Sequence, residues 1–324
     1  THCISSAASD VYKRQVRVDC VSRNYGQKAA LKQVSFEVND GEVLGLLGKN
    51  GAGKSTMMNI MTGNLAATQG TIRYDEFDIM EQPLQAKKCF GYLSELPPLY
   101  MEMRVERYLN FVYDLKRCTL PRQTHIQKVM RLTHTEQVGS RVIRNLSKGY
   151  RQRIGIAQAM IGDPKVLILD EPMVGLDPQQ IIEVRDLILD LKQSHTVILS
   201  SHILPEIQSV CDRVVVLNEG SLVADDTPEH LSAKLSAASR LRLRVAAPAE
   251  SVIQLLKTIR DVETVTQQNP QEPGCCELLI EAAQGSDIRR AVFCRLSERQ
   301  YPILYMALEE MTLESIFLSL TGNG

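Results

Sequence analysis

The stretch Gly48-Lys49-Asn50-Gly51-Ala52-Gly53-Lys54-Ser55-Thr56 constrains this chain more than any other. It fits the spacing G-x-x-x-x-G-K-[ST], in which glycines let successive backbone N–H groups turn inward on one phosphate chain. In that geometry Lys54 sets a point charge against the outer phosphates, and the Ser55 hydroxyl is a natural Mg²⁺ ligand. The flanks agree with it. Val43-Leu44-Gly45-Leu46-Leu47 is an apolar run of buried-strand type, and Met57, Met58, Ile60 and Met61 follow at helical spacing. The positive N-terminus of that helix would face the same anion. The motif predicts a chain that binds a nucleoside triphosphate with Mg²⁺.

Composition excludes several other classes. A formal net charge of −1 gives no electrostatic footprint for DNA, RNA or an anionic membrane surface. No apolar run reaches the roughly 18 residues needed to cross a bilayer, so any membrane span is expected on another chain. The eight cysteines are scattered without a C-x-x-C pair, and the six histidines show no ligand spacing. Free thiols in a reducing cytosol fit this pattern, and zinc does not.

Residues 1–15 lack an initiator Met and a signal-peptide layout, and Ser9-Asp10-Val11-Tyr12-Lys13-Arg14-Gln15 resembles mistranslated sequencing adaptor. They are expected to be non-native, with the protein proper starting near Val16. Strands are expected at 16–21 and 34–38, the second closed by the hairpin signal Asn39-Asp40-Gly41. A mostly helical stretch runs from 105 to 133, broken at Leu120-Pro121, and a further helix is expected over 154–161. The buried run Val166-Leu167-Ile168-Leu169 ends in two carboxylates, Asp170 and Glu171. Another core strand, 196–199, leads to Ser200-Ser201-His202. Beyond an Ala/Ser-rich linker at 232–240, residues 241–324 read as β-α-β-β-α-β plus a final helix at 313–320, a small ferredoxin-like unit.

An apolar strand ending in Asp-Glu is weak evidence alone, because strand ends often carry acids. Paired with the glycine-rich loop it becomes informative. Asp170 can then hold Mg²⁺ through water, while Glu171 is placed to polarise the attacking water.

With these landmarks in order, the chain from about Val16 to Asp226 resembles the ATP-binding-cassette (ABC) transporter ATPases. The resemblance implies an α/β P-loop NTPase fold, with a RecA-like core, a β-subdomain and a helical signature subdomain, over residues 16–231. It puts Tyr25 against adenine and Glu95 at the loop that touches Mg²⁺ and the permease. It puts Ser147 and Gly149 in the signature that contacts the γ-phosphate, Asp177 in the loop Gly175-Leu176-Asp177-Pro178, and His202 as the switch histidine. It also implies two copies head to tail, each ATP lying between one copy's phosphate loop and the other's signature. Lys54, Glu95, Glu171 and His202 are the catalytic candidates, and Ser55, Glu95 and Asp170 the Mg²⁺ ligands.

Three positions, in two motifs, depart from the family pattern. Lys148 and Tyr150 stand where the signature L-S-G-G-Q has a glycine and the glutamine, and Glu95 replaces a glutamine. Ser147 and Gly149 remain, so function is expected to survive. The added charge of Glu95 is expected to slow hydrolysis. Glu95, the run Pro97-Pro98-Leu99-Tyr100 and the ending Met311-Thr312-Leu313-Glu314-Ser315-Ile316-Phe317 resemble bacterial exporters of the drug-resistance and gliding-motility kind. Their permease is a separate integral-membrane chain, which would hold this one on the cytoplasmic face of the membrane. The competing class is a soluble ABC-type ATPase acting on ribosomes or DNA. Such chains carry two cassettes or a long coiled-coil insert, whereas only about ninety residues separate Thr56 from Leu146 here. A non-hydrolysing regulatory module is the third class, and the presence of Glu171 and His202 argues against it.

Overall fold

Apolar residues alternate with polar ones in the first two strands, and that pattern builds a sheet with one buried face. In the computed structural model, which describes residues 14–235, 239–268, 272, 274–283 and 286–309, β1 (Arg14–Tyr25) pairs antiparallel with β2 (Lys28–Asn39). Val16, Val18, Val21, Val34, Phe36 and Val38 point into the core. β1 starts two residues before the expected strand. Gln15 is buried and its side-chain oxygen accepts a hydrogen bond from Thr196 Oγ1, which anchors that end of the strand. Residues 1–13 lie outside the described residues.

The chain then changes sheets. β3 (Val43–Leu47) pairs in parallel with strands far along the sequence, so the turn at Asn39-Asp40-Gly41 does not close a hairpin. The hairpin is closed instead at Gly26, whose φ of +59° lies in the left-handed region that glycine enters without a steric cost. α1 (Lys54–Met61) follows the phosphate loop, then β4 (Gln69–Tyr74), β5 (Phe77–Asp78), α2 (Pro83–Cys89) and β6 (Phe90–Leu93). Sheet order β2-β1-β4-β5 completes the antiparallel layer. Met57, Met58, Ile60 and Met61 of α1 are buried in a cluster fed by that layer and by β3, each side chain contributing about 2 kcal/mol. Tyr74 Oη donates to the Met61 carbonyl at 2.7 Å, tying the helix end to β4.

α3 (Val105–Leu115) and α4 (Arg122–Leu132) are separated by the expected proline break. α5 (Lys148–Met160) starts six residues earlier than its apolar pattern suggested, because Ser147 is its N-cap and accepts from the Tyr150 N–H. β7 (Val166–Asp170), α6 (Pro178–Leu191), β8 (Thr196–Ser201), α7 (Leu204–Gln208), β9 (Arg213–Asn218) and β10 (Ser221–Asp226) complete this unit. The second sheet runs β10-β9-β3-β8-β7-β6, parallel throughout except for β10. β3, β7 and β8 are buried along their whole length, as a parallel sheet covered on both faces requires.

Contacts divide the chain into two units, 1–228 and 229–324. The second contains α8 (Pro228–Leu235) for most of its length, then β11 (Ser239–Val245), α9 (Ala249–Leu256), β12 (Val262–Gln268), β13 (Cys276–Ala282), α10 (Arg289–Glu298) and β14 (Ile303–Glu309). Its sheet order is β12-β13-β11-β14, all antiparallel. Strict alternation decides the buried face: Leu241, Leu243 and Val245 are fully buried against Val252, Leu256, Val292 and Leu296 of the helices. The expected helix at 313–320 and the tail run 311–317 lie outside the described residues.

Candidate functional site

The C-terminal ends of parallel strands carry the site, the place where such sheets leave an open crevice. β3 delivers the loop from Gly48 to Gly53. Gly51 and Gly53 have φ of +85° and +111°, and a Cβ on Gly48 would come within 2.7 Å of the Leu217 carbonyl. Side chains at these positions would be strained or would collide, so the loop keeps its N–H groups uncovered. α1 has no side-chain cap and no acid in its first turn. Its N-terminal donors are thus left for an outside anion.

Lys54 is buried, and its Nζ donates to the Gly48 carbonyl at 2.7 Å. Glu171 Oε1 lies 3.7 Å from the same ammonium, and Glu171 Oε2 lies 2.9 Å from His202 Nδ1. Three residues far apart in sequence therefore meet through one carboxylate. Burial pushes the Lys54 ammonium below its ordinary pKa, while the charges of Glu171, Asp170 and Glu95 pull it back up. Glu171 holds a φ of +48°, a left-handed conformation that costs a non-glycine residue about 1 kcal/mol or more. Its N–H is fixed by Ser200 Oγ at 2.9 Å, and that hydroxyl donates to Asp170 Oδ1 at 2.6 Å. β7 and β8 pair with Asp170 opposite Ser200, so sheet register itself puts the hydroxyl between the two acids. Asp170 is raised above the usual carboxylate range by burial, against the Ser200 bond.

One cleft of about 880 Å³ is lined by Tyr25, Asn50, Gly51, Gly53, Lys54, Ser55, Thr56, Glu95, Glu171 and His202 among others. Gly48, Ala52 and Asp170 do not line it: Ala52 and Asp170 are buried, and Gly48 faces the Lys54 ammonium with its carbonyl. Ser147, Gly149 and Asp177 are not brought to this cleft. They line a second one of about 390 Å³ with Gln137, Tyr150 and Gln180. There Ser147 and Asp177 cap α5 and α6, and a Cβ on Gly149 would come within 2.8 Å of Gln180 Oε1. The Lys148 ammonium lies against Gly175, where an added Cβ would be 2.3 Å from Nζ.

Among the described residues no group of three or more His, Cys, Asp or Glu could hold a metal ion by itself. The oxygen set of Ser55, Glu95 and Asp170 suits a hard cation that arrives on phosphates and needs only one or two protein ligands. Sequence reasoning did not single out Ser200, nor Tyr92, whose phenol bonds Asp170 and is pushed up to about 12 mainly by burial. It also missed Lys28, Lys32 and Lys49, which add positive charge to the cleft lining. A register partner leaves no local signal, and neither do Lys28 and Lys32 on β2, whereas Lys49 inside the glycine-rich loop was open to notice.

The family model described as "ABC transporter" matches residues 31–174. The linearmycin resistance ATP-binding protein LnrL of Bacillus subtilis is 27% identical over 312 residues, covering 95% of this chain and 98% of its own length. The ABC transporter ATP-binding protein NatA of the same organism is 34% identical over 213 residues, 63% of this chain and 86% of its own. Among solved structures, an ATP-binding subunit of an ABC transporter superposes with a TM-score of 0.61 at 28% identity, covering 68% of this chain and 93% of its own.

Proposed function

This chain belongs to the ABC transporter ATP-binding proteins, and from that membership we propose that its two clefts are the halves of one composite ATP site shared between two copies. It is an ATP hydrolase, the energising subunit of a bacterial exporter whose permease is a separate membrane chain. Relatives matched along almost the whole length are transporter subunits, so the ribosome- or DNA-acting class is not favoured. Among the described residues no helix is long and apolar enough to cross a membrane.

The observation that carries the reading is the meeting of Lys54, Glu171 and His202 under the glycine-rich loop. Lys54 holds the outer phosphates, the loop N–H groups and α1 cradle the chain, and Tyr25 receives the base. Ser55, Glu95 and, through water, Asp170 would hold Mg²⁺, which would supply charge neutralisation on the phosphates. Glu171 takes a proton from the attacking water, and His202 orients Glu171 and reaches the γ-phosphate. Ser147 and Gly149 contribute from the second copy, closing the site only when two copies meet head to tail.

Coupling to the permease would run through the segment between Glu95 and Arg107. Leu96 is 82% exposed and Tyr100 55%, and the Tyr100 ring packs edge-on against Phe111 at 5.2 Å between centroids. Exposed apolar groups next to a nucleotide cleft mark a partner surface, here that of the permease. Replacing Leu96 and Tyr100 together with Asp is expected to abolish co-purification with its permease, and ATP-dependent export, while ATP affinity stays within about twofold. Unchanged recovery of the permease with the double variant would move the docking surface elsewhere.

A further inference from the structure

Tyr25 stands at the end of β1, half exposed, where a free ring would sample several rotamers. It is not free. The Arg23 guanidinium lies over the Tyr25 ring, 4.9 Å from its centroid, and covers one face of it. Arg23 is itself held: Nη1 donates to the Ala66 carbonyl at 2.9 Å, and Nε is buried without a hydrogen-bond partner among the described residues. The neighbouring residues are stitched to the same segment. Thr68 N–H donates to the Ser22 carbonyl at 2.8 Å, and the Asn24 N–H donates to Thr68 Oγ1 at 3.1 Å. That segment hangs directly from α1, since the N–H groups of Asn64 and Leu65 both bond the Asn59 carbonyl. The base end and the phosphate end of the cleft are thus parts of one hydrogen-bonded body, with Arg23 as the joint behind the ring.

We infer that Arg23 is a positioning residue for the nucleotide base: it backs the Tyr25 ring and holds it in the one orientation that stacks a purine. Two physical effects act together. A ring immobilised beforehand loses less rotamer freedom when the base arrives. A cation on the rear face also draws on the same π-system that the base meets from the front. Neither effect touches the reacting phosphate. Arg23 therefore acts on affinity and not on the chemical step.

The inference rests on Tyr25 as the base platform, and the test separates the two. ATP binding is measured by titration calorimetry and hydrolysis by steady-state kinetics for Arg23→Gln, Arg23→Lys, Tyr25→Ala and the Arg23→Gln/Tyr25→Ala double variant. Inorganic tripolyphosphate, which has no base, serves as the second probe. Arg23→Gln should raise Kd and KM for ATP about three- to tenfold and leave kcat within about twofold. Tripolyphosphate affinity should be unchanged, and Arg23→Lys should recover most of the loss. The double variant should bind ATP no more weakly than Tyr25→Ala alone, because the arginine works through the ring. Since the chain contains no tryptophan, Tyr25→Trp gives a single indole at the platform, excited selectively over the tyrosines. Its emission should change on ATP addition, and Arg23→Gln in that background should weaken the response. Equal weakening of tripolyphosphate, or additive losses in the double variant, would overturn the inference. If Tyr25→Ala left ATP affinity unchanged, the platform reading itself would fall. Normal ATP binding by Arg23→Gln beside weakened Tyr25→Ala would remove only the role of the arginine.

Discussion

Glu171→Gln should bind ATP with close to parental affinity and lose turnover by about a hundred- to ten-thousandfold, the range ascribed to a positioned general base. The substitution keeps the shape and both hydrogen-bonding positions of the side chain but removes its charge and basicity. Its backbone place is set by the Ser200 hydroxyl at 2.9 Å, which the substitution does not touch, so the altered side chain still reaches His202 and the cleft. What disappears is the partner that Lys54 has at 3.7 Å. Freed from that carboxylate, the ammonium remains on the Gly48 carbonyl and available to phosphate. Binding therefore survives while the chemical step stops. ATP should then hold two copies together, seen as a dimer by size exclusion with ATP and a monomer without it. A variant that hydrolysed ATP at the parental rate would remove Glu171 from the role of base.

The phosphate loop was legible because everything it needs is contiguous: an apolar strand, glycines at fixed offsets, then helical spacing of Met57, Met58, Ile60 and Met61. Two parallel strands were legible from the apolar runs Val166 to Leu169 and Val197 to Leu199, although β8 continues two residues past the expected 196–199. Harder to read were the ends of elements governed by a single residue. Helix α5 begins at Lys148 because Ser147 caps it, while the apolar pattern gathers only from Ile154. Asn39-Asp40-Gly41 carries the composition of a hairpin turn, yet the strand after it is far more apolar than a hairpin partner with one wet face. Its burial in the parallel sheet overrides the turn's local preference. The site divides in the same way. Glycines and lysine in one loop announce themselves, whereas Ser200 between Asp170 and Glu171 depends on strand register, and Arg23 behind Tyr25 depends on side-chain direction. Neither leaves a pattern in the sequence.

Mixing two inactive variants should restore activity. The clefts holding Lys54 and Ser147 share no lining residue, and in the proposed function each supplies one half of a shared ATP site. Lys54→Ala removes a buried charge-assisted contact, which corresponds to about ten- to a hundredfold weaker ATP binding. Ser147→Arg leaves the glycine-rich loop intact but fills a cleft of about 390 Å³ with a long cationic side chain. It also removes the side chain that caps α5, at a cost of about 1 kcal/mol, so Ser147→Gly, which loses the capping side chain without filling the cleft, is the control for simple destabilisation, with unfolding midpoints of both variants measured. Each variant alone should hydrolyse ATP at a few per cent of the parental rate or less, and Ser147→Arg should still bind it. In a mixed head-to-tail dimer, one composite site carries both lesions and the other carries neither. With random exchange, half of the dimers are mixed and half of their sites are intact, so activity should return to about a quarter of the parental value. Two differently tagged variants that co-purify as a dimer in ATP yet stay inactive would rule out a site shared in this way, because each mixed dimer would then hold an intact pair of clefts that does not work.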